Sequence, residues 1–205
     1  MITRATLSTI EQGLPKYRSM LAGNTAFSPA SYESIATITV GSGGVSNVEF
    51  TSIPSTYTHL QLRYYAQTNR ATYGIAEYQL TFNSDTGSNY SYHSVYGDGA
   101  GIGPGNAANT TSIKGDGEMG TSTGGTFGIG VLDILDYKNT NKFKTVKWLA
   151  GVDTNGTVSG FGGRVGMFSG NYRSTSAITS IKFVPNSGSL FTQYSSFALY
   201  GIKGA

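Results

Sequence analysis

Cysteine is absent from this chain, so it has neither a disulfide framework nor a thiolate metal site. Stability has to come from packing or from assembly. Charge is scarce as well: 14 Lys+Arg and 11 Asp+Glu make up 12% of 205 residues and leave a net charge of +3. The basic residues are scattered, and the excess is too mild for nucleic-acid binding by counterion release. No run approaches the roughly 18 apolar residues of a membrane span. The first residues, Met1 to Ser8, lack a continuous apolar stretch of the signal-peptide kind. The expectation is a protein made in the cytosol that leaves it only by assembly or lysis.

What the chain has in excess is glycine, at 29 positions, and tyrosine, at 14. Glycine in a helix interior costs roughly 1 kcal/mol relative to alanine. Tyrosine, threonine and valine suit a pleated, half-buried surface. The composition therefore predicts many short strands joined by glycine-rich turns. Hydrophobic residues reach 38%, enough for one thin core of the kind two packed sheets enclose.

Residues 1–31 read differently from the rest. Pro15 stops any helix begun near Thr6. We expect a short irregular or partly helical arm that orders on a partner, with Leu14, Tyr17, Arg18, Met20 and Leu21 as its contacts. Residues 32–205 form the second unit. Alternation predicts ten strands there: Tyr32–Val40, Asn47–Ile53, Tyr57–Thr68, Glu77–Asn83, Tyr90–Tyr96, Phe127–Leu135, Phe143–Val152, Gly160–Ser169, Ala177–Pro185 and Tyr194–Ile202. Phe127, Ile129, Val131, Asp133 and Leu135 share one parity. Val146, Trp148 and Ala150 share another. The fold class expected is all-β, an antiparallel two-sheet sandwich of jelly-roll type. Residues 97–125, rich in glycine and weakest in pattern, read as one long loop, and such loops are functional, mobile or ordered by a neighbour.

Catalytic signals are weak. Asp98, Asp116 and Glu118 fall in that loop and could pair as glycosidase carboxylates. Asp-Gly is more simply a turn dipeptide. His59 and His93 have no carboxylate motif beside them and no Gly-x-Ser-x-Gly elbow accompanies them. Asp153-Thr-Asn155-Gly156 opens like a calcium loop but lacks its closing glutamate, and reads as a turn. No catalytic residue, cofactor or metal is expected. Tyrosine is the functional surplus. Tyr65, Tyr73, Tyr92 and Tyr96 are the candidates for contact with a glycan or another protein.

Several segments resemble a recurrent group of tailed-bacteriophage virion proteins. They are Tyr32-Glu-Ser-Ile-Ala-Thr-Ile-Thr-Val-Gly-Ser-Gly-Gly, Phe50-Thr-Ser-Ile-Pro-Ser-Thr-Tyr-Thr-His-Leu-Gln-Leu-Arg, Asp133-Ile-Leu-Asp-Tyr-Lys-Asn-Thr-Asn-Lys and Phe197-Ala-Leu-Tyr-Gly-Ile-Lys-Gly. The segment from Phe82 to Tyr90 belongs with them, and the resemblance runs from about Leu14 to the C-terminus. It implies a structural, tail or fibre-like subunit in the virion and carries no active site. It also implies other virion proteins as partners and symmetric assembly, commonly a homotrimer. A host-surface glycan is a further expected partner if the protein is an adhesin. A polysaccharide depolymerase is the remote third reading.

Overall fold

The structure is a computed structural model describing residues 32–156, 162–186 and 188–204, except the side chains of 116–118. The proposed arm, with Leu14, Tyr17, Arg18, Met20 and Leu21, lies outside the described residues. All regular structure among the described residues is strand. The strands are β1 (Tyr32–Thr39), β2 (Val48–Phe50), β3 (His59–Thr68), β4 (Ile75–Phe82), β5 (Tyr90–Gly97) and β6 (Ile102–Thr110). They continue as β7 (Ile113–Thr121), β8 (Gly128–Ile134), β9 (Lys144–Asp153), β10 (Gly163–Tyr172), β11 (Ile181–Pro185) and β12 (Ser196–Ile202).

Each of the ten segments picked out by alternation overlaps a strand, with β4, β5, β9 and β10 extending beyond the expected bounds. The expected loop 97–125 is a correction. It holds β6 and β7, and the irregular parts are the turn between β5 and β6, the two-residue link Thr111-Ser112 and the stretch after Thr121. Side-chain alternation was hidden there because glycine leaves nothing to alternate.

The strands form one mixed sheet of two ladders. The long ladder runs β1-β12-β3-β8-β9-β10-β5-β6 and is antiparallel throughout. The short ladder runs β2-β11-β4-β7, also antiparallel. The two meet where the end of β3 pairs parallel with β7, Gln67 beside Gly120 and Thr68 beside Thr121.

Period-two alternation decides what is buried. On β9, Val146, Trp148 and Ala150 point inward, as do Leu60, Leu62 and Tyr64 on β3. On the short ladder the inward residues are Tyr78, Leu80 and Phe82 of β4 and Ile181 and Phe183 of β11. Rings from the two ladders touch. Tyr64 of β3 meets Tyr78 of β4 edge-on at 5.6 Å between centroids. Phe82 of β4 lies 5.5 Å from Tyr172 of β10, and Trp148 stacks flat on Phe168 at 4.7 Å. Burying an aliphatic or phenyl side chain of this kind contributes about 1.5–3 kcal/mol. This aromatic core supplies what the disulfide-free chain needs.

Among the described residues one fully buried side chain is cationic. Lys144, at the start of β9, is fully buried. Its Nζ donates to the carbonyls of Asn139 at 2.5 Å, Lys142 at 3.0 Å and Thr175 at 3.3 Å. The ammonium thereby ties the β8–β9 loop to the segment after β10. Burial also lowers its pKa from the usual lysine value. Beside it, the Asp136 carboxylate is ion-paired with Lys142. The Asp136 backbone N–H donates to His59 Nδ1 at 2.9 Å.

Candidate functional site

The inward face of the long ladder is core, which leaves its outward face as the accessible surface. Strand parity sends Arg63 and Tyr65 of β3, Ile129 and Val131 of β8, Leu149 and Gly151 of β9, and Val165 and Met167 of β10 to that face. Register then aligns them. Arg63 pairs with Val131, Val131 with Leu149, Leu149 with Met167, and Met167 with Val95 of β5. One step along the strands, Tyr65 pairs with Ile129, Ile129 with Gly151, Gly151 with Val165, and Val165 with Gly97. Apart from Arg63 and the two glycines these rows are apolar, and together they place an apolar side chain on each of five strands. Leu149 is 57% exposed, Ile129 58% and Val165 57%. Isolated exposed apolar residues are ordinary, whereas a contiguous row marks a contact surface.

The rows enclose an open groove of about 1170 Å³. Gly97, Gly151 and Gly163 lower its floor because they carry no side chain. At one end Tyr65 stacks on Phe127, with centroids 4.6 Å apart and planes 9° from parallel. Arg63, Asp98, Asp153 and Arg164 supply charge at its margins. The Asp98 carboxylate accepts the N–H groups of Gly101 and Ala100, each at 2.9 Å, which holds it below the usual carboxylate range. Arg164 lies over the ring of Tyr96, 3.8 Å from its centroid. Among the described residues the groove lining holds no histidine and no serine. Its chemistry is stacking, apolar contact and ion pairing. A third row, Gln61, Asp133, Lys147, Ser169 and His93, borders the apolar rows with polar groups.

The four candidate tyrosines do not converge. Tyr65 lines the groove and is 49% exposed. Tyr73 lies in the β3–β4 connection, with the Arg70 guanidinium 4.2 Å from its ring centre. Tyr92 and Tyr96 occupy the opposite face of β5, where Tyr92 packs against the core and Tyr96 is half-buried beneath Arg164. Asp98 sits in the β5–β6 turn, while residues 116 and 118 belong to β7 in the short ladder. Asp153-Thr-Asn-Gly is a turn: Asn155 and Gly156 have φ of 52° and 67°, and Asp153 accepts the Asn155 N–H. Among the described residues no cluster of three or more His, Asp or Glu could hold a metal ion, and no helix is long and apolar enough to cross a membrane.

Sequence reasoning missed Phe127, Leu149, Val165 and Met167 as surface residues. The signal was present: β8 is apolar on both parities, and only one parity can face the core. Leu132 and Ile134 take the inside, so Ile129, Val131 and Leu135 are outside.

No family model matches the chain, and no curated protein matches it. Among solved structures, lectin II from Ulex europaeus is 8% identical, with 83% of this chain and 92% of that chain covered and a TM-score of 0.18. Lectin UEA-II complexed with galactose is 9% identical at the same coverages, with a TM-score of 0.17. At these TM-scores neither neighbour bears on fold or function.

Proposed function

We propose that this chain is a non-enzymatic structural protein of a tailed-bacteriophage virion, a fibre, tail-tip or head-decoration subunit that works by assembly and surface display. The observation that carries this reading is the exposed apolar double row on the outer face of the long ladder. A surface of that kind, on a chain with few charges and no disulfides, is stabilised when other virion proteins cover it. The resemblance of the strand segments to phage virion proteins supplies the particle. In this reading the arm, residues 1–31, docks the protein on the particle.

At the finer level we read the fold as a sandwich of jelly-roll type, with the short ladder laid over the inner face of the long one. The ring contacts between Tyr78 and Tyr64 and between Phe82 and Tyr172 support the two-layer reading. Mass spectrometry of density-purified particles tests the function. Multiple copies per particle are expected; a chain abundant in the lysate and missing from particles would sink the proposal.

A second reading, a glycan-binding adhesin, is favoured by one observation. The flat Tyr65–Phe127 pair beside Asp98, Asp153 and Arg63 is a stacking platform with charged groups at its edge. Glycan-array binding that disappears in Tyr65→Ala is the expected result, and the absence of binding by the assembled protein removes this reading.

A further inference from the structure

We propose that the outer face of the long ladder pairs with a second copy of this chain about a two-fold axis that crosses β9 between Leu149 and Gly151. The inference rests on the assembly reading above and names the partner for that surface.

The face is large enough for a stable interface. Eight strands at about 4.8 Å spacing, with about eight residues each at about 3.3 Å, give a face of roughly 1,000 Å². A stable interface buries about 800 Å² per partner. The face also has the required anatomy, an apolar centre with the polar row of Gln61, Asp133 and Lys147 at its border.

The face is self-complementary. A two-fold axis in the plane of the interface and perpendicular to the strands turns each strand back on its own copy. Every residue on one side of the axis then meets its counterpart from the other side. On β9 this sets the exposed Leu149 against the partner's Gly151, so a side chain meets a gap. It sets Lys147 against the partner's Asp153, joining opposite charges that are both exposed.

Register carries the same axis across neighbouring strands. On β5, level with Leu149 and Gly151, Val95 meets the partner's Gly97. On β3, Arg63 meets the partner's Tyr65, a cation against an aromatic face. On β9 and β5 a knob thus faces a hole, on β9 and β3 a cation faces an anion or a ring, and on β8 and β10 apolar side chains face each other. A three-fold contact joins different surfaces and gives none of these reciprocal matches.

Light scattering of the full chain after size exclusion should give twice the chain mass at micromolar concentration. Leu149→Lys should give the monomer mass with an unchanged circular dichroism spectrum, because Leu149 lies outside the core. Monomer or trimer for the unmodified chain overturns the pairing, as does a dimer that tolerates Leu149→Lys.

A second experiment fixes the axis. With no native cysteine, Lys147→Cys and Asp153→Cys can be labelled cleanly. A bismaleimide of about 10 Å, the spacing of packed sheets, should join the two variants when they are co-expressed. Neither variant alone should cross-link, because like positions lie roughly 20 Å apart along the strands. Cross-linking of either variant alone contradicts the axis. A monomer still found in purified particles sinks the pairing only, whereas absence from particles sinks the assembly reading itself.

Discussion

Tyr78 on β4 stands directly across from Gly115 on β7, and its ring fills the space that a Cβ at 115 would need. The same relationship recurs between Tyr64 and Gly130 and between Tyr96 and Gly103, and the ring of Tyr57, just before β3, fills the corresponding space at Gly201 of β12. Four of the glycines and four of the tyrosines are therefore coupled through packing. Tyrosine rings lie flat over neighbouring strands at the points where those strands carry no side chain.

Gly115→Ala tests this coupling. Tyr78 is fully buried and has nowhere to move. Overpacking of this kind costs about 1–3 kcal/mol, which exceeds the roughly 0.4–1 kcal/mol that alanine returns by restricting the unfolded chain. Gly41→Ala is the control, since a Cβ there meets nothing within 4 Å. Urea unfolding should show Gly115→Ala destabilised and Gly41→Ala unchanged or slightly more stable. Equal effects at the two sites would refute the coupling.

Lys144 supports a second prediction. Replacing it with methionine keeps the stem but leaves the carbonyls of Asn139, Lys142 and Thr175 without their donor. Buried acceptors left unpaired cost about 1–3 kcal/mol. The loss should appear in the melting temperature, with faster hydrogen exchange confined to the β8–β9 loop and the segment after β10. An unchanged melt would show that water or the backbone alone satisfies those carbonyls.

Alkaline pH supplies a third test. Burial raises the hydroxyl pKa values of Tyr90, Tyr137 and Tyr172 above the ordinary tyrosine value. In the unfolded chain these groups ionise near pH 10. The folded state binds their protons more tightly, so their contribution to stability is full below about pH 10 and is lost as pH rises toward the folded values. Tyrosinate absorbance should rise in two stages. Exposed rings titrate first, and the buried ones follow together with loss of near-ultraviolet dichroism. A single stage with the fold intact would contradict the burial of these rings.

The strands that alternate apolar with polar residues were legible in the sequence. Val146 flanked by Thr145 and Lys147, or Leu62 flanked by Gln61 and Arg63, states its own inward direction. The strands β6 and β7 were not legible. Gly103 and Gly105 on β6, and Gly115, Gly117 and Gly120 on β7, leave no pattern to count, and the order comes from tyrosines on the neighbouring strands. Tyr65 could be picked as a contact residue because β3 points it away from Tyr64. The rest of the surface was hidden. Val131, Leu149 and Met167 are ordinary core types, and only register, set by strands distant in sequence, places them side by side in the open.

The central claim, that the outer face of the long ladder is an assembly surface of a virion protein, is tested most directly by particle incorporation. Phage would be grown with the unmodified chain and with Leu149→Lys, and the copy number in purified particles counted by quantitative mass spectrometry. The account predicts that Leu149→Lys accumulates folded in the lysate and is depleted at least tenfold from particles. Equal copy numbers for the two proteins would contradict it.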